Sequence, residues 1–249
     1  MPQTFPRNFL KEVLIRVDFQ PELQGLGDKE IQSLRDDLAE CFPIYQPPVS
    51  PNIVLQISKA PPSQAPSAPP LEHEFYSESR DKKVTLSYMF LSIVYYKFED
   101  FDSLKSDFLT VMNILDNMFA DLEVRRIGLR YVNVIDLKEA RPLDWNGYIV
   151  PELLGGLDFA AGEKHASRVF NMLHLRYGDM NLKFQYGIHN PDFPQPIRTK
   201  QFILDYDAYE ELVTPAHDVT ERLDEYRLKI WGLFSKSIGP KLRRMLERE

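Results

Sequence analysis

From residue 10 onward apolar and polar residues take turns. In LKEVLIRVDF, Val13, Ile15, Val17 and Phe19 alternate with Glu12, Leu14, Arg16 and Asp18, the period of a strand with one mostly polar face. The period then lengthens. Ile31, Leu34, Leu38 and Cys41 fall three and four apart behind Asp28, which predicts a helix capped by that aspartate, burying the thiol and stopped by Pro43. NIVLQIS, residues 52 to 58, predicts a second short strand. APPSQAPSAPP, residues 60 to 70, holds five prolines and predicts a mobile surface loop biased to polyproline II. Its Pro66 and Pro69 also have the spacing of a segment that docks in an aromatic groove.

Strands resume at HEFYSES, with a polar turn from Arg80 to Lys83. The run VTLSYMFLSIVYYKF is apolar on both faces in its second half, as a central strand is. Phe101, Leu104, Phe108, Val111, Leu115 and Met118 then form one helical stripe, with Asp100 or Asp102 as cap. After the strand RRIGLRYVNVIDL, residues 138 to 164 read as loop with a short helix at PELLG. VFNMLHLRY and MNLKFQYGIH form a hairpin turned by Gly178 and Asp179. NPDFPQP breaks the sheet, QFILDYDAY is a further strand, and Val219, Leu223, Tyr226, Ile230 and Leu233 seam a last helix over residues 218 to 238. Gly239 and Pro240 end or kink it, leaving a terminal turn or two with Leu242 and Met245.

Strands in succession followed by long helices predict an α+β fold: an antiparallel sheet, or two, with long helices on one face. The order occurs twice, and FLSIVYYKFEDFDSL resembles FILDYDAYEELVTP as an aromatic strand leading through acidic residues into a helix. That repetition predicts two related halves, 1–138 and 139–249, closely packed and compatible with one domain.

Composition narrows the functional classes. The 249 residues are 43% hydrophobic and 12% aromatic, enough for a sizeable core. No apolar run reaches spanning length and no signal-peptide run opens the chain, so no membrane contact is expected. The single cysteine, Cys41, permits no intramolecular disulfide and fits a reducing, cytoplasmic setting. A net charge of −7 is the wrong sign for phosphate contacts, which makes nucleic acid an unlikely partner.

Catalytic motifs do not appear. His73, His165, His174, His189 and His217 lack metal-ligand spacing, no GxSxG or SxxK is present, and neither phosphate-loop signature occurs. No cofactor, metal or catalytic residue is therefore assigned. Two constellations remain. Asp205 and Asp207 share one strand face, either to hold a cation or do acid–base work, or to answer arginines elsewhere in the sheet. Arg126, Gly128 and Arg130 share one face of RRIGLRYVNVIDL, and the glycine leaves room for an aromatic neighbour or a ligand. Asn133 falls among core positions, where a bulge near Val132 would turn it outward. The structural reading pairs Arg126 and Arg130 with Asp205 and Asp207; the functional one makes the arginines and Asn133 a carboxylate or phosphate clamp.

LKEVLIRVDF, the central RIGLRYVNVID, FILDYDAYEE and a final LFSKSI occur in an order and spacing that resemble a sporadically distributed, functionally uncharacterised prokaryotic protein family of about this chain's length. The resemblance covers about residues 8 to 238, with Arg126 to Asn133 its most specific part. It implies no reaction, cofactor or partner, and carries over no functional residue. Patchy occurrence implies an accessory role on mobile or defence-related loci.

The reading that results is a non-enzymatic binding or adaptor protein, acting on an unidentified protein partner through a sheet face and able to form a homodimer. Its alternative is a small anionic-ligand binder or enzyme centred on Arg126, Arg130 and Asn133, with Asp205 and Asp207 beside them.

Overall fold

The structure, a computed structural model, describes residues 5–48, 70–160, 162, 165–215 and 219–248. The strand expected at 52 to 58 and the proline-rich loop up to residue 69 lie outside the described residues.

The fold is α+β, built on one antiparallel sheet with nine strands among the described residues. Strands β1 (Leu10–Phe19) and β6 (Glu123–Leu137) lie side by side in its middle. From β1 the chain travels to one margin, β2 (Ile44–Gln46). It returns through β3 (His73–Tyr76), β4 (Lys82–Leu86) and β5 (Phe90–Tyr95), which pairs with β1. From β6 it travels to the other margin, β7 (Val169–Tyr177). The return runs through β8 (Met180–Ile188) and β9 (Lys200–Pro215), which pairs with β6. Both sequence halves thus contribute to a single sheet.

Among the described residues five α-helices accompany it. Only α2 (Phe101–Met118) and α4 (Thr220–Ser237) reach 18 residues; α1 (Asp28–Asp37), α3 (Gly155–Ala160) and α5 (Pro240–Leu246) have 10, 6 and 7. None among the described residues is long and apolar enough to cross a membrane. Helix α2 lies against β5 and α4 against β6 and β9. Lys105 Nζ binds Asp224 Oδ2 at 2.6 Å and so ties α2 to α4.

The alternation read from β1 is what builds the core. Val13, Ile15 and Val17 are wholly buried, as are Ile93 on β5, Leu129 on β6 and Leu204 on β9. Each such aliphatic side chain contributes about 1.5–3 kcal/mol over its exposed state. The α2 stripe packs as its spacing demands, and Asp100 caps it by accepting from the Ser103 amide at 2.7 Å.

Four local expectations are corrected. VTLSYMFLSIVYYKF is not one strand but the β4–β5 hairpin. Ser87 Oγ accepts from the amides of Met89 (3.1 Å) and Phe90 (3.2 Å), so a hydroxyl replaces ladder partners and the chain turns. Helix α1 begins after Gly27, whose amide donates to Glu30 Oε2 at 3.2 Å; Asp28 lies inside the helix and is not its cap. The same helix stops at Asp37, which carries Cys41 off the apolar stripe. Cys41 is exposed, and Phe42 is buried in its place.

Candidate functional site

The strand that carries Arg126, Arg130 and Asn133 is β6, and Asp205 and Asp207 stand on its neighbour β9. Register places Arg130 opposite Asp207 and Val132 opposite Asp205. Arg130 nevertheless reaches diagonally. Its Nε donates to Asp205 Oδ1 at 2.8 Å and its Nη2 to Oδ2 at 2.7 Å, the bidentate fit of a guanidinium on a carboxylate. Those bonds hold the Arg130 guanidinium above its ordinary pKa against the opposing effect of burial, and the charges of Asp205, Asp207 and Glu12 add to them. Arg126 lies opposite Glu211; its guanidinium sits 4.7 Å over the Tyr209 ring, with Nη2 3.9 Å from Asp207. Lys183 of β8 approaches the same carboxylate at 3.7 Å.

Tyr209 and Arg126 occupy the space beside Gly128: a Cβ there would meet Tyr209 Cβ at 3.4 Å and Arg126 Nη1 at 3.5 Å, ordinary van der Waals contacts that leave no room for a ligand against the backbone. The charged side chains of this face answer one another. An incoming anion would have to displace Asp205 from Arg130 before it gained the guanidinium.

Asn133 does not join them. Strand alternation puts it on the face of Ile127, Leu129 and Ile135, opposite to both arginines, and it is only 6% exposed. The expected bulge exists, but across the ladder: the β1 register slips between Leu10 and Glu12, and Asn133 pairs with Leu10. The extra residue belongs to β1, so Asn133 stays inward. Its Nδ2 donates to the Leu204 carbonyl at 3.3 Å.

Beside Asn133 lies a cavity of about 130 Å³. Tyr131 and Tyr206 give it a sheet floor; Ile230, Trp231 and Phe234 of α4 form one wall. Phe98 and Phe101 at the start of α2 form another, and the segment from Phe5 to Leu10 closes the third. Phe5 stacks 5.4 Å from Trp231 and 6.4 Å from Phe234. Glu99, Asp100 and Arg227 contribute the charged part of the lining. Arg227 sits 4.7 Å over Phe101 and 3.4 Å from Asp102. Burial pushes the phenols of Tyr131 and Tyr206 well up, so both stay protonated donors.

Only one residue of this cavity, Asn133, figured among the sequence candidates. Phe101 and Ile230 read as core positions of their helices, and nothing in helical spacing distinguishes a stripe that fills space from one that borders it. Two polar pairs under the helices also escaped sequence reasoning. Glu210, 4% exposed on β9, accepts from Arg222 of α4. Tyr95 of β5 donates to Asp107 of α2 at 2.5 Å, and Lys82 joins that carboxylate at 3.1 Å.

The histidines are dispersed: His174 faces Lys183, His73 Nδ1 meets the Tyr45 hydroxyl at 2.9 Å, and His189 offers its carbonyl to Arg168 at 2.8 Å. His217 lies outside the described residues. Among the described residues no group of three or more His, Cys, Asp or Glu side chains gathers as a metal would need. No protein-family model matches the chain, and no curated protein gives a significant match.

Proposed function

We propose that this chain is a non-enzymatic binding protein whose contact element is the β7 margin of its sheet, and that the partner seated there is a second copy. The observation that carries this reading is the contrast between the two margins. Among the described residues one ends in β2, three residues long, which offers little template for pairing. The other ends in β7, nine residues in unbroken register with β8, without proline, lysine or bulge. Met172 is 54%, Leu173 41% and Tyr177 37% exposed along it. Natural sheets blunt such an edge or use it.

The strand is self-complementary. Antiparallel pairing about Leu173 sets Met172 against His174, Phe170 against Arg176 and Val169 against Tyr177 of the other copy. Cation–aromatic and aromatic–β-branched pairs result, with no like charges opposed. The chain's charge of −7 is carried elsewhere. A contact of one strand edge is small, so the dimer is weak and depends on concentration.

The same proposal takes α2 and α4 as covering one face of the sheet. It takes residues 1–138 and 139–249 as related halves of one sheet, each with one of the two long helices, α2 and α4. It also takes the protein as a cytoplasmic accessory protein of the sporadically distributed prokaryotic family that Arg126 to Asn133 resembles. The anion-clamp alternative is less well supported, because Arg130 is engaged by Asp205 and Asn133 faces the other way.

Sedimentation velocity across a concentration series tests the reading. Wild-type protein shifts from monomer toward dimer, whereas Leu173→Lys, which sets two lysines opposite each other at the dyad, stays monomeric. A wild type that is monomeric throughout, or a dimer indifferent to Leu173→Lys, overturns it.

A further inference from the structure

The cavity beside Asn133 lies apart from the proposed dimer contact, since no β7 residue lines it. Its chemistry is specific. The bond from Asn133 Nδ2 to the Leu204 carbonyl fixes the amide, because only nitrogen can donate there, and turns Oδ1 the other way. Among the described residues Oδ1 accepts no hydrogen bond. The fully enclosed polar atoms without a partner are the Tyr206 and Tyr226 hydroxyls and Arg222 Nε. Among the described residues Oδ1 is therefore free to accept from a guest in the cavity that Asn133 lines. A buried acceptor in an aromatic chamber is a recognition element: it favours a ligand that brings a donor and penalises the same shape without one.

Size and charge narrow the ligand further. About 130 Å³ is close to the roughly 150 Å³ of an engineered cavity that accepts benzene, so one aromatic ring fits. Trp231, Phe234 and Phe5 line it and pack against one another, their ring centroids 5.4, 6.0 and 6.4 Å apart. At the start of α2, Glu99, Asp100 and Asp102 outnumber Arg227, and the sum repels an anion. Aromatic faces under a net negative rim suit a neutral or cationic guest.

We infer that this cavity binds a small single-ring aromatic molecule carrying an N–H donor, an arylamine or a nitrogen heterocycle, held by Asn133 Oδ1 among the rings of Trp231, Phe234 and Phe5. The guest takes its place in the core without covalent chemistry. Isothermal titration calorimetry of the full chain with aniline, benzylamine, toluene and benzoate tests this. Aniline or benzylamine binds saturably at one site, toluene binds at least tenfold more weakly, and benzoate gives no heat. Asn133→Leu, which keeps the chamber and removes the acceptor, brings the amines down to the toluene level. The inference is overturned if benzoate matches the amines, if toluene binds as well as aniline, if Asn133→Leu leaves amine affinity unchanged, or if none of the four binds. The comparison of toluene with aniline uses wild-type protein, so it decides the matter even where the variant fails to fold.

Discussion

Arg130 crosses the β6–β9 pair diagonally and closes two parallel hydrogen bonds on Asp205, at 2.8 and 2.7 Å. The Asp205 side chain is 7% exposed and that of Arg130 35%, so the pair stands between an exposed ion pair and a buried one. Exposed pairs contribute about 0.2–1 kcal/mol, and removing one partner of a buried pair costs about 3–5. A double-mutant cycle on Arg130→Ala and Asp205→Ala, read by urea unfolding, gives a coupling of about 1–3 kcal/mol. The Arg126–Asp207 cycle, at 3.9 Å, gives less than about 1 kcal/mol. Coupling of Arg130 to Asp207 in place of Asp205 would refute this geometry.

Two glycines, in the strands on either side of β9, separate room from conformation. Gly128 has ordinary strand geometry and contacts no nearer than 3.4 Å, so Gly128→Ala changes stability by no more than about 1 kcal/mol. Gly187 has φ +130°, and a Cβ there would run into the Val169 carbonyl. Gly187→Ala therefore costs about 2 kcal/mol or more and loosens the β7–β8 hairpin. Equilibrium denaturation of the two variants checks the order.

Helical spacing would bury Cys41, but it is Phe42 beside it that the fold buries. Cys41 is exposed, so the folded protein takes up one equivalent of a thiol reagent without denaturant, and Cys41→Ala stays within about 0.5 kcal/mol of wild type. Phe42 is 3% exposed, and Phe42→Ala costs about 3–5 kcal/mol. Slow labelling that speeds up only on unfolding would contradict the exposed thiol.

Burial holds the His73 imidazole below its ordinary value, while the Asp28 charge pulls the other way. As pH falls through about 6.5 the unfolded chain takes up this proton first, and the folded chain follows only at lower pH. The His73 contribution is therefore present above about pH 6.5 and is lost toward the lower folded value. Between about pH 7 and pH 5, wild type loses more Tm than His73→Gln does. Equal losses would remove His73 from the account.

Elements carried by a long, unambiguous period were legible in the chain. The α2 stripe, the buried side of β1 and the β7–β8 hairpin follow from spacing and from Gly178 alone, because each needs only its own residues to bury an apolar face. Features decided by a neighbour were not legible. Asn133 stays inward because β1, not β6, takes the bulge, and no residue of β6 records that. Ser87 turns the chain within an apolar run because its hydroxyl finds two amides. The cavity was invisible for the same reason: Phe101 and Ile230 are ordinary core residues until the neighbouring elements fail to close on them.

The central claim is that β7 pairs with another copy of itself, and the most direct measurement is hydrogen exchange of the β7 amides at several protein concentrations. As an edge strand, β7 offers alternate amides to the sheet and leaves the others to solvent. The account predicts that the second set exchanges freely in dilute protein and slows as concentration rises, with the other margin, β2, unchanged. Fast exchange of those β7 amides at every concentration would contradict it.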